Sequence, residues 1–188
     1  GDWSSDVCSS DLPDDLLAWK GAHAAAAGKP VVLLQVGHDT TQVWAGQGLQ
    51  PAVVLTLAIG DRRTGTGEFK HDPPTPGEME LAIMTVEDAV MPLARQLPTG
   101  AILYTTDAGI RQIAHIAGVA DAPQMLLQLA DVERVYNLLA AVALGRPASI
   151  SGVRTDPPFA ARLTILREFM HHLGFGAVAI LPAAAQPG

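Results

Sequence analysis

Two short segments of this chain bring hydroxyl, carboxylate and glycine groups together: Gly37-His38-Asp39-Thr40-Thr41 and Thr105-Thr106-Asp107-Ala108-Gly109. Each follows an apolar run, Val31 to Val36 in the first case and Ala101 to Tyr104 in the second. A buried strand that ends in such a turn presents ligand-binding groups at its carboxyl end, as nucleotide and phosphate folds do. The threonine hydroxyls suit a phosphate or sulfate oxygen, and ordinary turn hydrogen bonding explains them equally well. His38 with Asp39 and Asp107 has the donor types of a metal site, while aspartate is also a favoured turn residue. The other candidates read as structural. His171-His172 ends a helix, where a cation suits the macrodipole and solvent is expected around both rings. His115 falls on a partly buried helix face, His71-Asp72 precedes prolines, and Arg62-Arg63 suits a solvated hairpin. No Ser-His-Asp arrangement follows from these spacings.

The elements that position these segments follow from pattern. Asp14 to Ala27 reads as a helix ending at Gly28. The run Val31 to Val36, then Gln42-Val43-Trp44, then Ala52 to Ile59 read as three consecutive strands joined by tight turns. Thr75 and Glu78 have capping-box spacing, with Pro76 at the first helical position, and predict a long helix to about Gln96. A strand over Ala101–Tyr104 and a helix over Ile110–Ala117 follow. Helices are expected over Pro123–Leu129, Val132–Leu144 and Phe159–Leu173, then a last strand at Val178–Leu181. This order predicts an α/β fold with a mixed sheet and flanking helices.

The first twelve residues, GDWSSDVCSSDL, stand apart. Asp2 through Leu12 match the forward translation of a common short-read sequencing adapter and are read as a processing scar. The natural chain is then expected to enter near Pro13, with its own start upstream. Cys8 leaves with the scar, so the remainder has no thiol, which fits a reducing, cytoplasmic setting. Formal charge moves from −7 to −4 as Asp2, Asp6 and Asp11 go. A mildly acidic chain without a basic cluster argues against nucleic acid and anionic membrane as partners. No apolar run reaches the ~18 residues of a membrane span.

The residues from about Leu17 to Ile180 resemble the Ppx/GppA family of exopolyphosphatases and guanosine-pentaphosphate phosphohydrolases. Val32 to Val43 sits where that family has a strand ending D-I-G-G-G-S-T-E-L. Leu57-Ala58-Ile59-Gly60 is similar to its S-L-x-L-G, followed by an aromatic near Phe69. Pro74 to Glu78 matches the start of its next helix, and Tyr104 to Arg111 falls on its second phosphate loop, G-T-G-G-T-I-R. Val132 to Leu144 and the helix through Leu173-Gly174-Phe175 resemble the helices that follow. The later S-D-x-G-L-R-E-G has no counterpart in Ala183 to Gly188.

The resemblance implies an actin-like (ribonuclease H-like) lobe, the second of a two-lobed protein. On that reading residues 13–29 form the crossover helix between lobes, 30–182 the lobe itself and 183–188 a frayed tail. Leu16, Leu17 and Trp19 would then expose surface that faces the first lobe. It also implies a phosphate cradle at Gly37, His38, Asp39, Thr40, Thr41, Thr105, Thr106, Asp107 and Gly109, Mg²⁺ as the family's cofactor, a phosphate-containing small molecule or polyphosphate as ligand, and homodimers. The family's metal-facing and catalytic carboxylates map to Gln35, Gln42 and Asp14. Two of these are amides, poor Mg²⁺ ligands. Glycines of the two loops are replaced by His38-Asp39 and Asp107-Ala108, so each loop gains a carboxylate. The expectation is therefore a phosphatase lobe that is catalytically degenerate and holds no metal of its own. The alternatives are a non-catalytic binding or regulatory module, or another actin-like protein.

Overall fold

The computed structural model describes residues 12–183. The segment read as a scar up to residue 11, and the tail beyond residue 183, lie outside the described residues. The chain runs α1 (Leu12–Ala26), β1 (Val31–Val36), β2 (Thr41–Gly46), β3 (Val53–Leu57), α2 (Asp61–Glu68) and α3 (Pro76–Val90). A 3-10 turn at Met91–Arg95 leads to β4 (Ile102–Thr105), α4 (Ala108–Ile116), β5 (Met125–Gln128) and α5 (Leu129–Ala143). The short α6 (Ala148–Ser151), α7 (Pro157–Leu173) and β6 (Ala177–Ile180) complete it.

The six strands form one mixed sheet in the order β3-β2-β1-β4-β6-β5. β1 pairs parallel with β4, and β4 parallel with β6. The β1–β2, β2–β3 and β5–β6 pairs are antiparallel. This is the mixed-sheet α/β fold that the element order predicts.

The continuous apolar run of β1 has a simple cause: both of its faces are buried. Val32, Leu34 and Val36 join the main core with Val43, Leu103, Val178 and Ile180. Helix α7 lies at the centre of that core, packed on α2, α3, α4 and α5. Val31 and Leu33 point the other way, into a smaller core with Trp44, Tyr104 and Ala179 under α1. Trp19 of α1 is fully buried there. The expectation of an exposed Trp19 is thus corrected, because α1 folds back onto the sheet. Leu17 is exposed, and Leu16 is half-buried.

Other expectations fail for local reasons. Met125–Gln128 is a strand, not part of a helix over Pro123–Leu129, because it alternates buried and exposed residues against β6. Arg62 and Arg63 lie in the first turn of α2 rather than on a hairpin. His115 is exposed and pairs with Asp121. His172 is not solvated as expected: it lies 2.8 Å from the buried Glu168.

The capping box is present as predicted. The Thr75 hydroxyl accepts from the Glu78 N–H at 3.2 Å, and the Glu78 carboxylate accepts from the Thr75 N–H at 3.0 Å. Burial opposes ionisation of Glu78. Hydrogen bonds from His71 and from the Thr75 and Lys70 N–H groups outweigh it and hold the carboxyl below its ordinary range. A depressed folded pKa contributes stability that is complete above the unfolded value of 4.5 and is lost as pH falls through the folded value. Glu78→Gln should therefore destabilise the chain near neutral pH and converge on the parent in acid, read from urea melts at stepped pH. Separate curves of constant offset down to the acid limit would contradict this.

Candidate functional site

The two turns singled out in the sequence meet at the carboxyl ends of β1 and β4. β1 ends at Val36, and the turn closes when the Gly37 N–H donates to the Thr40 carbonyl at 2.9 Å. A side chain at Gly37 would place its Cβ 2.6 Å from that oxygen, so only glycine fits. The same turn caps α2. The Gly37 carbonyl accepts from the Asp61 N–H at 3.0 Å, and the His38 carbonyl from those of Arg62 and Arg63 at 2.9 Å. Gly60 makes this approach possible, since a Cβ there would lie 2.6 Å from the His38 carbonyl carbon and 2.8 Å from the Gly37 oxygen. Gly60→Ala should push the turn off α2 at a cost of about 1–3 kcal/mol. The same substitution at Gly77, which has open space around it, provides the control in a thermal melt.

The second turn is organised by Asp107. Its Oδ1 accepts from the Gly109 N–H at 2.7 Å and the Ile110 N–H at 3.2 Å, which makes it the N-cap of α4. Its Oδ2 accepts from the Val36 N–H at 3.2 Å, which ties α4 to the end of β1. Arg162, from α7, completes the arrangement. Its Nη2 donates to the Val36 carbonyl at 3.2 Å and lies 3.1 Å from Asp61 Oδ2. Its Nε lies 3.4 Å from Asp107 Oδ1, an ion-pair contact outside hydrogen-bond geometry. The side chains of Arg162, Asp61 and Asp107 are 18%, 8% and 7% exposed, so one guanidinium balances two nearly buried carboxylates.

The predicted site residues separate into engaged and open groups. Gln35 bridges the strands: its amide nitrogen donates to Thr106 Oγ1 at 2.7 Å, and its oxygen accepts from the Thr106 N–H at 3.2 Å and Thr105 Oγ1 at 3.3 Å. Thr41 is buried and donates to the Ile59 carbonyl at 2.9 Å. The oxygen of Gln42 accepts from Thr56 at 3.0 Å. Asp39 points to solvent and pairs with Arg62, whose hydrogen bond holds the Asp39 carboxyl below its ordinary range. His38 Nδ1 pairs with Asp61 Oδ1 at 2.8 Å, and its exposed ring, Thr40 and Asp14 face a cleft of about 850 Å³, which Asp15, Gln35, Gln42, Trp44, Val54, Thr56 and Asp107 also line. Asp39 and Asp107 do not converge. Among the described residues no group of three or more His, Cys, Asp or Glu side chains is placed to hold a metal ion. With the Gln35 oxygen already accepting two hydrogen bonds, the donors here do not fit the Mg²⁺ that the resemblance implies.

Sequence reasoning missed Asp61 and Arg162. A signal for the second exists. Arg162 is the one charged residue in Phe159-Ala160-Ala161-Arg162-Leu163-Thr164-Ile165-Leu166, a run that α7 buries on nearly all sides. A lone cation in such a run calls for a buried partner.

No family model and no curated protein sequence matches this chain. Solved structures do. A Ppx/GppA protein of Aquifex aeolicus superposes with a TM-score of 0.71 at 15% identity, over 92% of this chain and 60% of that one. An exopolyphosphatase of Cytophaga hutchinsonii gives 0.68 at 14% identity, over 92% and 60%. A protein described as exopolyphosphatase-like gives 0.65 at 13%, over 91% and 62%. This chain has the Ppx/GppA fold. It spans about 60% of the length of the solved structures it matches, so it represents part of that fold. At such identity the likeness is one of backbone, and the site chemistry rests on the side chains described above. No helix of the described residues is long and apolar enough to cross a membrane.

Proposed function

We propose that this chain is a Ppx/GppA-like lobe that has lost phosphoanhydride hydrolysis. One observation carries the reading. The backbone N–H groups of Val36, Gly109 and Ile110, beside Arg162, form the donor set an anion would meet at these loops, and the Asp107 carboxylate fills it from within. A phosphate group must displace that carboxylate or stand next to it. Two like charges about 4 Å apart at an effective dielectric of about 20 repel by about 4 kcal/mol. The carboxylates of Asp14 and Asp15 on the cleft wall add to the penalty. Gln35, in place of a carboxylate, spends its amide on holding β1 to β4.

The test is phosphate release from polyphosphate with Mg²⁺, by this chain and by the longest natural protein that contains it. Neither should exceed the buffer rate. Restoring the acidic and glycine positions together (Gln35→Asp, Gln42→Glu, His38→Gly, Asp39→Gly, Asp107→Gly, Ala108→Gly) should recover binding of inorganic phosphate. Turnover by the unaltered protein would overturn the proposal.

A further inference from the structure

His38 is part of an arrangement that the loss of hydrolysis does not explain. Its Nδ1 lies 2.8 Å from Asp61 Oδ1. The Asp61 carboxylate is almost fully buried, and its other oxygen is held by Arg162 at 3.1 Å. The imidazole, by contrast, is 74% exposed and stands between two hollows, the 850 Å³ cleft and a second of about 370 Å³. A fixed carboxylate at Nδ1 places a proton on that nitrogen, so that the neutral form of the ring carries its lone pair on Nε2. This is how a carboxylate orients the histidine base of hydrolases, whatever their fold. The charged groups around the ring are Asp61 and Arg62 of α2, Asp39 of its own turn, Asp107 before α4, and Arg154 and Arg162 across the second hollow.

We infer that His38 is a general base and Asp61 its positioning residue, acting on water in the cleft against a neutral ester. The Nε2 lone pair takes a proton from water as the water oxygen bonds to the acyl carbon. The alcohol leaves with the ester oxygen, and the proton returns to it or to solvent. The lining disfavours an anionic ligand: Thr40, Gln42 and Thr56 are neutral and polar, Trp44 and Val54 are apolar, and the carboxylates of Asp14, Asp15 and Asp107 repel anions. This inference is independent of the proposed loss of phosphatase activity.

The experiment has two readouts. Nitrogen NMR of the intact chain, with His38→Ala to assign the signal and at a pH where the ring is neutral, should find the proton on Nδ1. The second readout is hydrolysis of p-nitrophenyl acetate. A general base contributes typically about 10²–10⁴-fold, so His38→Ala should lose at least about a hundredfold in rate. Asp61→Asn should lose rate as well and shift the ring toward the Nε2–H tautomer. If Asp61→Asn does not fold, the parent tautomer and the rate of His38→Ala still decide. A proton on Nε2 in the parent, or an unchanged rate in His38→Ala, would overturn the inference.

Discussion

Asp107→Gly is expected to lower stability by about 2 kcal/mol and to make the melting temperature rise with added inorganic phosphate, to which the parent's should not respond. The cost arises from lost hydrogen bonds to a charged acceptor, each worth about 1.5–3 kcal/mol before water replaces part of it. Glycine itself is tolerated at an N-cap, at a few tenths of a kcal/mol. The gain arises because the Val36, Gly109 and Ile110 N–H groups and Arg162 keep their places and lose their anion. A ligand at about one hundred times its Kd adds about 2.7 kcal/mol, enough to return the variant to the parent's stability. Asp107→Asn is the control. It keeps one capping oxygen and the volume but sets an NH2 where the second carboxylate oxygen accepted and removes the charge, so it should also lose stability and, with the cradle still filled, respond weakly to phosphate. A Gly variant indifferent to phosphate would mean that the carboxylate is only a helix cap.

The second large effect is expected at Arg162. Arg162→Met removes the cation between Asp61 and Asp107 and keeps most of the side-chain volume. Breaking a buried ion pair from one side costs about 3–5 kcal/mol. For a chain of this size each kcal/mol moves the melting temperature by about 2–4 °C, so a fall of roughly 10 °C is expected in a circular dichroism melt. Arg162→Lys should recover only part of it, since an ammonium cannot reach Asp61, Asp107 and the Val36 carbonyl with one planar group. A fall of only one or two degrees in the Met variant would show that solvent supports the two carboxylates unaided.

Much of this arrangement could be read in the sequence where the signal is local. The apolar run Val31–Val36, the capping box of Thr75 and Glu78, and two turns at strand ends are short-range patterns, and each formed as expected. α2 escaped because Asp-Arg-Arg-Thr-Gly-Thr-Gly-Glu has two glycines and no apolar stripe; its N-terminus is capped by turn carbonyls more than twenty residues upstream, and it packs on α7. β5 escaped because Met125-Leu126-Leu127-Gln128 is too short to separate strand from helix by period, and its partner lies some fifty residues on. The two turns were legible as a place. Their chemistry was not, because it depends on Arg162, 126 residues from Val36 in sequence. Read as turn composition, Asp107 is an ordinary favoured residue. Read in three dimensions, its carboxylate accepts from the Val36, Gly109 and Ile110 N–H groups and joins the two turns.

The most direct measurement is an amide NMR titration of the unaltered chain with inorganic pyrophosphate and Mg²⁺, following Val36, Gly109 and Ile110. If the Asp107 carboxylate occupies those donors, their signals stay in place throughout, while the same signals shift in Asp107→Gly. Saturable shifts at all three in the unaltered chain would mean that phosphate reaches the cradle despite Asp107, and that the site is open.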